Sequence, residues 1–289
     1  MNNGLYFIDE AENEMGRCLV LKAPWSDDFI DVIRKENISV LRLTESMGWK
    51  GNDISFLEKL KNINLRGVEI YAWSVKDITP LRFISGMEYL GLQCEFTNAP
   101  DFSNFEKLRI CKLLWRPTAK SIFDCIGIQL LNIVNYPFED LQMLKKFTEL
   151  TRLQLTSKKL VSLVGVEYLQ SLKILDLAEC HNLEYLTGIE NCQQLQIVEL
   201  ENCKKINDVT NLGELANLRY LVLTDCGKLK TLRPLVKCRL LENLTFAGDT
   251  NVEDGELTSL LDIPELKKMW FVDKRHYSHK RDQVAAMLS

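Results

Sequence analysis

The sequence predicts an α/β solenoid: a right-handed horseshoe with a parallel β-sheet on its concave side and 3₁₀ turns, short helices and coil on its convex side. A triplet of apolar residues with the form L-x-x-L-x-L returns about every 22 residues. Within each triplet the last two apolar residues alternate with polar ones, which indicates a short strand with one buried face. A fold of this kind grows by adding units that contact only their neighbours.

The repeats are most regular in the second half of the chain. Going back towards the N-terminus, the same triplet recurs with more substitutions. The triplets begin at Ile38, Leu65, Met87, Leu108, Ile128, Leu150, Leu172, Leu195, Leu218, Leu241 and Leu266. The chain of 289 residues is therefore predicted to hold about eleven units, more than the roughly three that a shared core requires.

The segment after each predicted strand indicates how the chain returns to the next one. In residues 182–189 (NLEYLTGI) and 205–212 (KINDVTNL), apolar residues lie three apart. This spacing is too tight for a long α-helix and is typical of a 3₁₀ turn or short coil. Stacked units then place all strands in one parallel sheet and all turns on the opposite side.

Nine cysteines are present, an odd number without a C-x-x-C pair. Cys180, Cys203 and Cys226 follow one another at the period of the repeat, where such units turn the chain away from the strand. Cys192 and Cys238 lie two repeats apart. We interpret them as small buried thiols rather than metal or redox sites, which favours the cytoplasm.

The unit from Leu172 to Cys192 reads L-x-x-L-x-L-x-x-C-x-x-L-x-x-L-x-G-I-x-x-C. It resembles the 22-residue leucine-rich repeat of the internalins and of the protein phosphatase regulatory subunit of that class. The resemblance extends from about Ile38 nearly to the end of the chain. It implies a leucine-rich-repeat horseshoe, but this architecture serves many unrelated partners and implies no particular one.

Both ends depart from the repeat, as the ends of a solenoid must. Residues 1–37 are predicted to form a capping hairpin and helix. Strands over 5–8 and 18–21 are joined by an acidic loop, and a helix with its N-cap at Ser26 follows, with two acids in its first turn and Arg34 and Lys35 in its last. Residues 38–273 form the solenoid. Residues 274–289 form a basic cap with a short helix over 283–288, where the basic run is either a solvated surface or a contact for an acid or phosphate.

Composition and motifs argue against several functions. The net charge of -4 disfavours nucleic acid, because that binding depends on Lys and Arg. There is no secretory signal pattern and no apolar run of the length of a membrane span. None of the common catalytic or nucleotide-binding motifs is present, and His181 follows a turn without a plausible dyad. We therefore expect no enzyme activity, cofactor, metal or membrane, and a cytoplasmic protein.

The positions between the buried leucines are the candidate partner-binding residues, since they point onto the concave sheet or its rim. We define an aromatic patch (Tyr71, Trp73, Tyr89, Trp115 and Tyr136) and an acidic stripe (Asp176, Glu179, Glu199, Glu201 and Asp225), with Tyr220 and Trp270 at the far side of the stripe. Exposed aromatic residues beside fixed charges are typical of protein interfaces. The alternative is that Trp73 and Trp115 are buried in loops and that the acids only keep the sheet soluble.

These observations predict a non-catalytic module whose concave face binds a protein partner, a basic one if the acidic stripe is used. One concrete form is a bacterial immunity or inhibitor protein that masks the positive cleft of a toxin or enzyme. The alternative is a regulatory or scaffold subunit of another enzyme. An internalin-like adhesin is disfavoured because no signal, anchor or disulfide pattern is seen. A monomer is favoured, although the sequence does not fix the oligomeric state.

Overall fold

A computed structural model describes residues 4–288, so residues 1–3 of the predicted N-terminal cap and residue 289 of the C-terminal cap lie outside the described residues. The chain divides into two compact units, the first ending at Leu131 and the second beginning at Asn132. Short parallel strands and 3₁₀ helices alternate in both units. We describe each unit by itself.

Unit 1 begins with a hairpin and a helix and continues as stacked repeats. Strand β1 pairs antiparallel with β2, and β2 to β6 then pair in parallel, each with the next in the chain. The elements are β1 (Tyr6–Glu10), β2 (Arg17–Leu21), α1 (Asp28–Lys35), β3 (Val40–Thr44), β4 (Gly67–Tyr71), β5 (Tyr89–Leu92) and β6 (Ile110–Leu114). Strand β7 (Leu130–Val134) spans the division between the units.

Unit 2 continues the same pattern with more uniform repeats. Its main strands pair in parallel in the order β8-β9-β10-β11-β13-β15, while β12 and β14 form a small separate pair. The elements are β8 (Arg152–Thr156), β9 (Ile174–Ala178), β10 (Ile197–Glu201), β11 (Tyr220–Thr224), β12 (Lys228–Leu229), β13 (Asn243–Ala247), β14 (Asn251–Val252), β15 (Lys268–Phe271) and α2 (Arg281–Met287).

The repeat pattern places the strands as predicted. A strand lies over each of the eleven triplets, from β3 at the first to β15 at the last. The last two apolar residues of a triplet, such as Leu221 and Leu223 in β11, are fully buried and lie in register with their counterparts on the neighbouring strands. The predicted 3₁₀ helices follow the strands, for example over Ile189–Asn191 and Thr210–Glu214.

The N-terminal helix differs in one detail from its prediction. Asp27, not Ser26, precedes the first helical residue, and it already has helical backbone angles of φ -63° and ψ -21°. Its carboxylate is held outside the helix by Lys59 Nζ at 2.8 Å and Trp25 Nε1 at 2.9 Å. The Ser26 hydroxyl accepts a hydrogen bond from the Asp28 backbone N–H at 3.4 Å and donates to its Oδ2 at 3.1 Å. The predicted N-cap interaction of Ser26 is therefore present, with the helix boundary one residue later than predicted.

All nine cysteines are free and buried, as expected of small core thiols. In unit 2 four of them link consecutive repeats, because the thiols of Cys192, Cys203, Cys226 and Cys238 each lie against a backbone carbonyl of the preceding repeat. The Cys226 Sγ lies 3.3 Å from the Leu200 oxygen, and the Cys238 Sγ lies 3.2 Å from the Leu212 oxygen. Burial raises the pKa of Cys226 to about 12. The Cys226 thiol therefore remains protonated and acts as a weak hydrogen-bond donor.

Candidate functional site

The candidate site is the side of the sheet that faces away from the core, which we call the sheet face; it is the side predicted to be concave. In β10, Val198 and Leu200 are buried, while Glu199 and Glu201 are exposed. The neighbouring strands of unit 2 are in register, so their outward residues lie side by side. Glu199 is paired with Asp176 on one side and with Val222 on the other. Neighbouring parallel strands lie about 4.8 Å apart, so these side chains form one continuous surface.

Three carboxylates of unit 2 share this surface, and we call Asp176, Glu199 and Glu201 the acidic row. Gln154 donates from Nε2 to Asp176 Oδ2 at 2.8 Å. Burial and the neighbouring Asp176 carboxylate raise the pKa of Glu199, and the more distant Arg152 only partly offsets them. At Glu199, burial and the neighbouring acids therefore outweigh the stabilisation that Arg152 gives to the ionised carboxylate.

Apolar side chains lie beside the acidic row on the same face. Ile174, Ile197 and Tyr220 are in register on β9, β10 and β11, and the Tyr220 ring is 40% exposed. Further along, Trp270 is 38% exposed, with the Arg281 guanidinium 6.0 Å from its ring centre. The predicted exposure of Tyr220 and Trp270 is confirmed, and the face combines apolar contact area with negative charge.

The two remaining acids of the stripe lie at the rim and are engaged within the protein. Glu179 accepts a hydrogen bond from Asn202 Nδ2 at 2.8 Å and lies 3.1 Å from His181 Nε2. Asp225 accepts from the backbone N–H of Asp249 at 2.9 Å. Both rim acids have a positive φ, 56° and 50°, a conformation that Asp adopts more readily than Glu. Their carboxylates support rim turns through these contacts, although 53% of the Glu179 side chain stays accessible.

One buried acceptor at this rim is unsatisfied. The Asn202 Oδ1 atom is buried and has no hydrogen-bond partner within residues 4–288, while the Nδ2 of the same amide is bonded to Glu179. A buried polar atom without a partner costs about 1–3 kcal/mol.

The sheet face of unit 1 is different, since its carboxylate is paired. Glu69 on β4 is fully buried. It accepts hydrogen bonds from Arg42 Nε, from the Tyr89 hydroxyl and, at 3.0 Å, from the Tyr71 hydroxyl. Burial, together with the neighbouring Tyr71 and Glu69, raises the pKa of Tyr89 and keeps it protonated as a donor. The four side chains form a satisfied network, which is the condition for burying a charge without a large penalty.

The loop between β1 and β2, residues 11–16, covers this network. Ala11 and Met15 are 8% and 4% exposed, and they pack on the sheet face itself. They belong to one apolar cluster with Cys18, Val20, Val40 and Tyr89, against which Phe7 and Ile110 also pack. The loop therefore occupies the sheet face of unit 1 as a ligand would.

Ion pairs fasten the loop at its edges. Glu12 at the tip pairs with Lys112 Nζ on β6, a residue one hundred positions away in the chain. On β1, Asp9 Oδ2 lies 3.2 Å from Arg42 Nη1. The acidic loop thus meets the cations of the sheet face of unit 1, so the charges of that face are neutralised internally.

The predicted aromatic patch is only partly present. Tyr89 is fully buried beneath the hairpin loop, and Tyr136 is 1% exposed because its ring turns inward and its hydroxyl donates to the Asp140 oxygen at 2.9 Å. The expectation that these two residues are exposed is wrong. Trp73 is 48% exposed.

The last two members of the patch are partly covered. Tyr71 and Trp115 are half-buried, the latter with its ring centre 5.3 Å from that of Phe123. The repeat pattern does not predict the hairpin loop on the sheet face. The signal for it is the charge complementarity between the acidic N-terminal hairpin and two sheet-face cations, Arg42 and Lys112.

Within residues 4–288, no group of three or more His, Cys, Asp or Glu side chains is arranged to hold a metal ion. In the same part of the chain, none of the helices combines the length and the apolar character needed to span a membrane. His181 contacts Glu179 and the Asn202 oxygen at the rim.

Known protein families and curated proteins provide no match to the chain, but solved structures do. An internalin, inlF of Listeria monocytogenes, superposes with a TM-score of 0.63 at 19% identity, over 87% of this chain and 70% of that one. The functional domain of InlJ from the same organism, described as including a cysteine ladder, gives 0.57 at 17% identity; this chain is covered to 87% and spans 57% of that domain. A leucine-rich-repeat protein of Leptospira interrogans gives 0.50 at 16% identity, over 82% and 74%. Together with the parallel strands and 3₁₀ helices of every repeat, these likenesses show that the protein has the leucine-rich-repeat solenoid fold of the internalins.

Proposed function

We propose that this protein is a non-catalytic binding module and that the sheet face of unit 2 binds a basic segment of a protein partner. The observation that carries the proposal is the acidic row, Asp176, Glu199 and Glu201. Like charges on adjacent strands destabilise a sheet, and burial and Asp176 already raise the pKa of Glu199. A cationic partner would relieve the repulsion between these carboxylates, and this relief would add to the binding free energy.

The surroundings of the acidic row support a protein rather than a small ion. Apolar residues on the same face, above all Ile197 and Tyr220, offer contact area beside the charge. Tyrosine and tryptophan are enriched at the energetically dominant positions of protein interfaces.

In its most specific form, the proposal is an inhibitor that masks the cationic cleft of a toxin or enzyme, as an immunity protein does. Complementary charge would accelerate association and make it dependent on salt. A regulatory or scaffold subunit would use the same face but leave its partner active. The two roles differ in the activity of the partner inside the complex.

The first experiment is affinity capture from the native cell with identification of the co-eluting protein, followed by binding kinetics on the purified pair. We expect the variant Asp176→Asn/Glu199→Gln/Glu201→Gln to associate about tenfold more slowly at low salt and to lose much of its salt dependence. The matched control is Glu149→Gln/Asp262→Asn/Glu265→Gln, which changes the net charge equally at exposed acids outside the strands. If both variants bind equally well, the acidic row is not the contact.

A further inference from the structure

The N-terminal hairpin loop contacts the sheet face of unit 1 in a way that a cap alone does not require. A cap has only to cover the first strand of the sheet, yet this loop reaches Lys112 on the fifth strand of the β2-to-β6 series. Its tip residues Glu12, Asn13 and Glu14 are exposed. The loop is thus fastened over the face through Ala11, Met15 and its charges.

The surface beneath the loop would stay satisfied if the loop lifted. The Glu69 carboxylate takes its hydrogen bonds from Arg42, Tyr71 and Tyr89, all on the sheet itself. The ion pair of Glu12 with Lys112 is partly exposed, with 59% and 24% of the two side chains accessible. Exposed pairs of this kind contribute little to stability. Lifting the loop would therefore leave no buried charge unpaired.

We propose that the hairpin loop is a displaceable plug on a second binding surface, one that accepts an acidic segment with small apolar side chains. The chemistry of the surface specifies this occupant. Lys112 presents positive charge, Arg42 offers its Nη1 group while its Nε pairs with Glu69, and Val40, Tyr89 and Ile110 present apolar area between them. The hairpin offers the complement: carboxylates at Asp9 of β1 and Glu12 of the loop, and the apolar side chains of Ala11 and Met15. A partner segment of the same chemistry would take its place.

Cys18 provides a native probe of the plug. It lies on the sheet face opposite Asp9 of β1 and is fully buried in the cluster under the loop. Cys203 and Cys226 lie in the solenoid core of unit 2. Alkylation of Cys18 by iodoacetamide, followed by peptide mass spectrometry, therefore reports opening of the plug, whereas the other two thiols report unfolding of a repeat.

The test compares wild type, Glu12→Lys and the charge swap Glu12→Lys/Lys112→Glu. We expect Glu12→Lys to speed the alkylation of Cys18 about fivefold and to leave the alkylation of Cys203 and Cys226 unchanged. The charge swap should restore the wild-type rate at Cys18. If Cys18 in Glu12→Lys is alkylated no faster than Cys203, the hairpin is a fixed part of the fold and the proposal is overturned.

The nature of the occupant is tested on the Glu12→Lys variant with a synthetic peptide of residues 8–16. In millimolar excess, this peptide should slow alkylation of Cys18 about twofold or more by occupying the vacated face. The same peptide carrying Asp9→Lys and Glu12→Lys should have no effect. An unchanged rate with the acidic peptide, or equal protection by both peptides, would refute the proposed preference for an acidic segment.

Discussion

The sheet faces of the two units are built by the same repeat, but they differ in whether their carboxylates are paired and covered within the protein. In unit 1 the Glu69 carboxylate is paired with Arg42 and covered by the hairpin loop. In unit 2 the carboxylates of Asp176 and Glu199 lie side by side, with Glu199 exposed. The repeat determines which side chains face outward, but the charges on neighbouring strands determine whether a face is self-satisfied or available to a partner.

This difference has an energetic meaning. A buried charge with its partners in place contributes to the integrity of the fold, and removing one partner is costly. Adjacent like charges on a solvated face lower stability instead. Substitutions in the Glu69 network of unit 1 should therefore affect folding, and substitutions in the acidic row of unit 2 should affect binding.

The largest expected effect is that of Arg42→Met in unit 1. It leaves Glu69, whose side chain is 1% exposed, without its cation, and we expect a loss of about 3 kcal/mol in the free energy of unfolding. Urea unfolding measures it. The matched control is Arg152→Met on the sheet face of unit 2, which should cost less than about 1 kcal/mol. Equal losses would remove the distinction between the two faces.

Tyr89→Phe should have a smaller effect, since it removes one hydroxyl donor to the Glu69 carboxylate. A hydrogen bond to a charged group contributes about 1.5–3 kcal/mol, so we expect a loss near the lower end of that range. Tyr220→Phe on unit 2 should change stability by less than about 0.5 kcal/mol. Comparable thermal shifts in the two variants would show that the hairpin loop does not bury Tyr89 in solution.

The smallest effect is a gain of stability. The pKa of Glu199 is raised in the folded protein, so its ionisation costs stability as pH rises from the unfolded to the folded pKa. Glu199→Gln should therefore stabilise by about 0.5 kcal/mol at pH 7. The gain should vanish at about pH 4, below the unfolded value of 4.5, where the carboxyl is protonated in both states. Thermal unfolding at the two pH values tests this, and a loss of stability at pH 7 would contradict it.

The spacing of apolar residues predicts the strands and the core well, but it does not predict which parts of the sheet face are covered by other segments. The burial of Leu221 and Leu223 is predicted correctly, because alternate residues of a strand face opposite sides of the sheet. Tyr89 and Tyr220 occupy the same strand position, yet one is buried and the other 40% exposed. Tyr89 is buried because the hairpin loop reaches across to β6, a contact between residues one hundred positions apart in the chain. A local repeat pattern cannot predict such a distant contact. Tyr136 lies beyond its strand, where a turn redirects the ring.

The most direct test of the contrast is carbodiimide labelling of carboxylates with glycine ethyl ester, read by mass spectrometry on the free protein and on its complex with the captured partner. In the free protein, Glu199 and Glu201 should be labelled and Glu69 should not. In the complex, the acidic row should become protected while Glu149, Asp262 and Glu265 keep their labelling. Labelling of Glu69 in the free protein, or protection that leaves the acidic row accessible, would contradict the division into a closed face and a binding face.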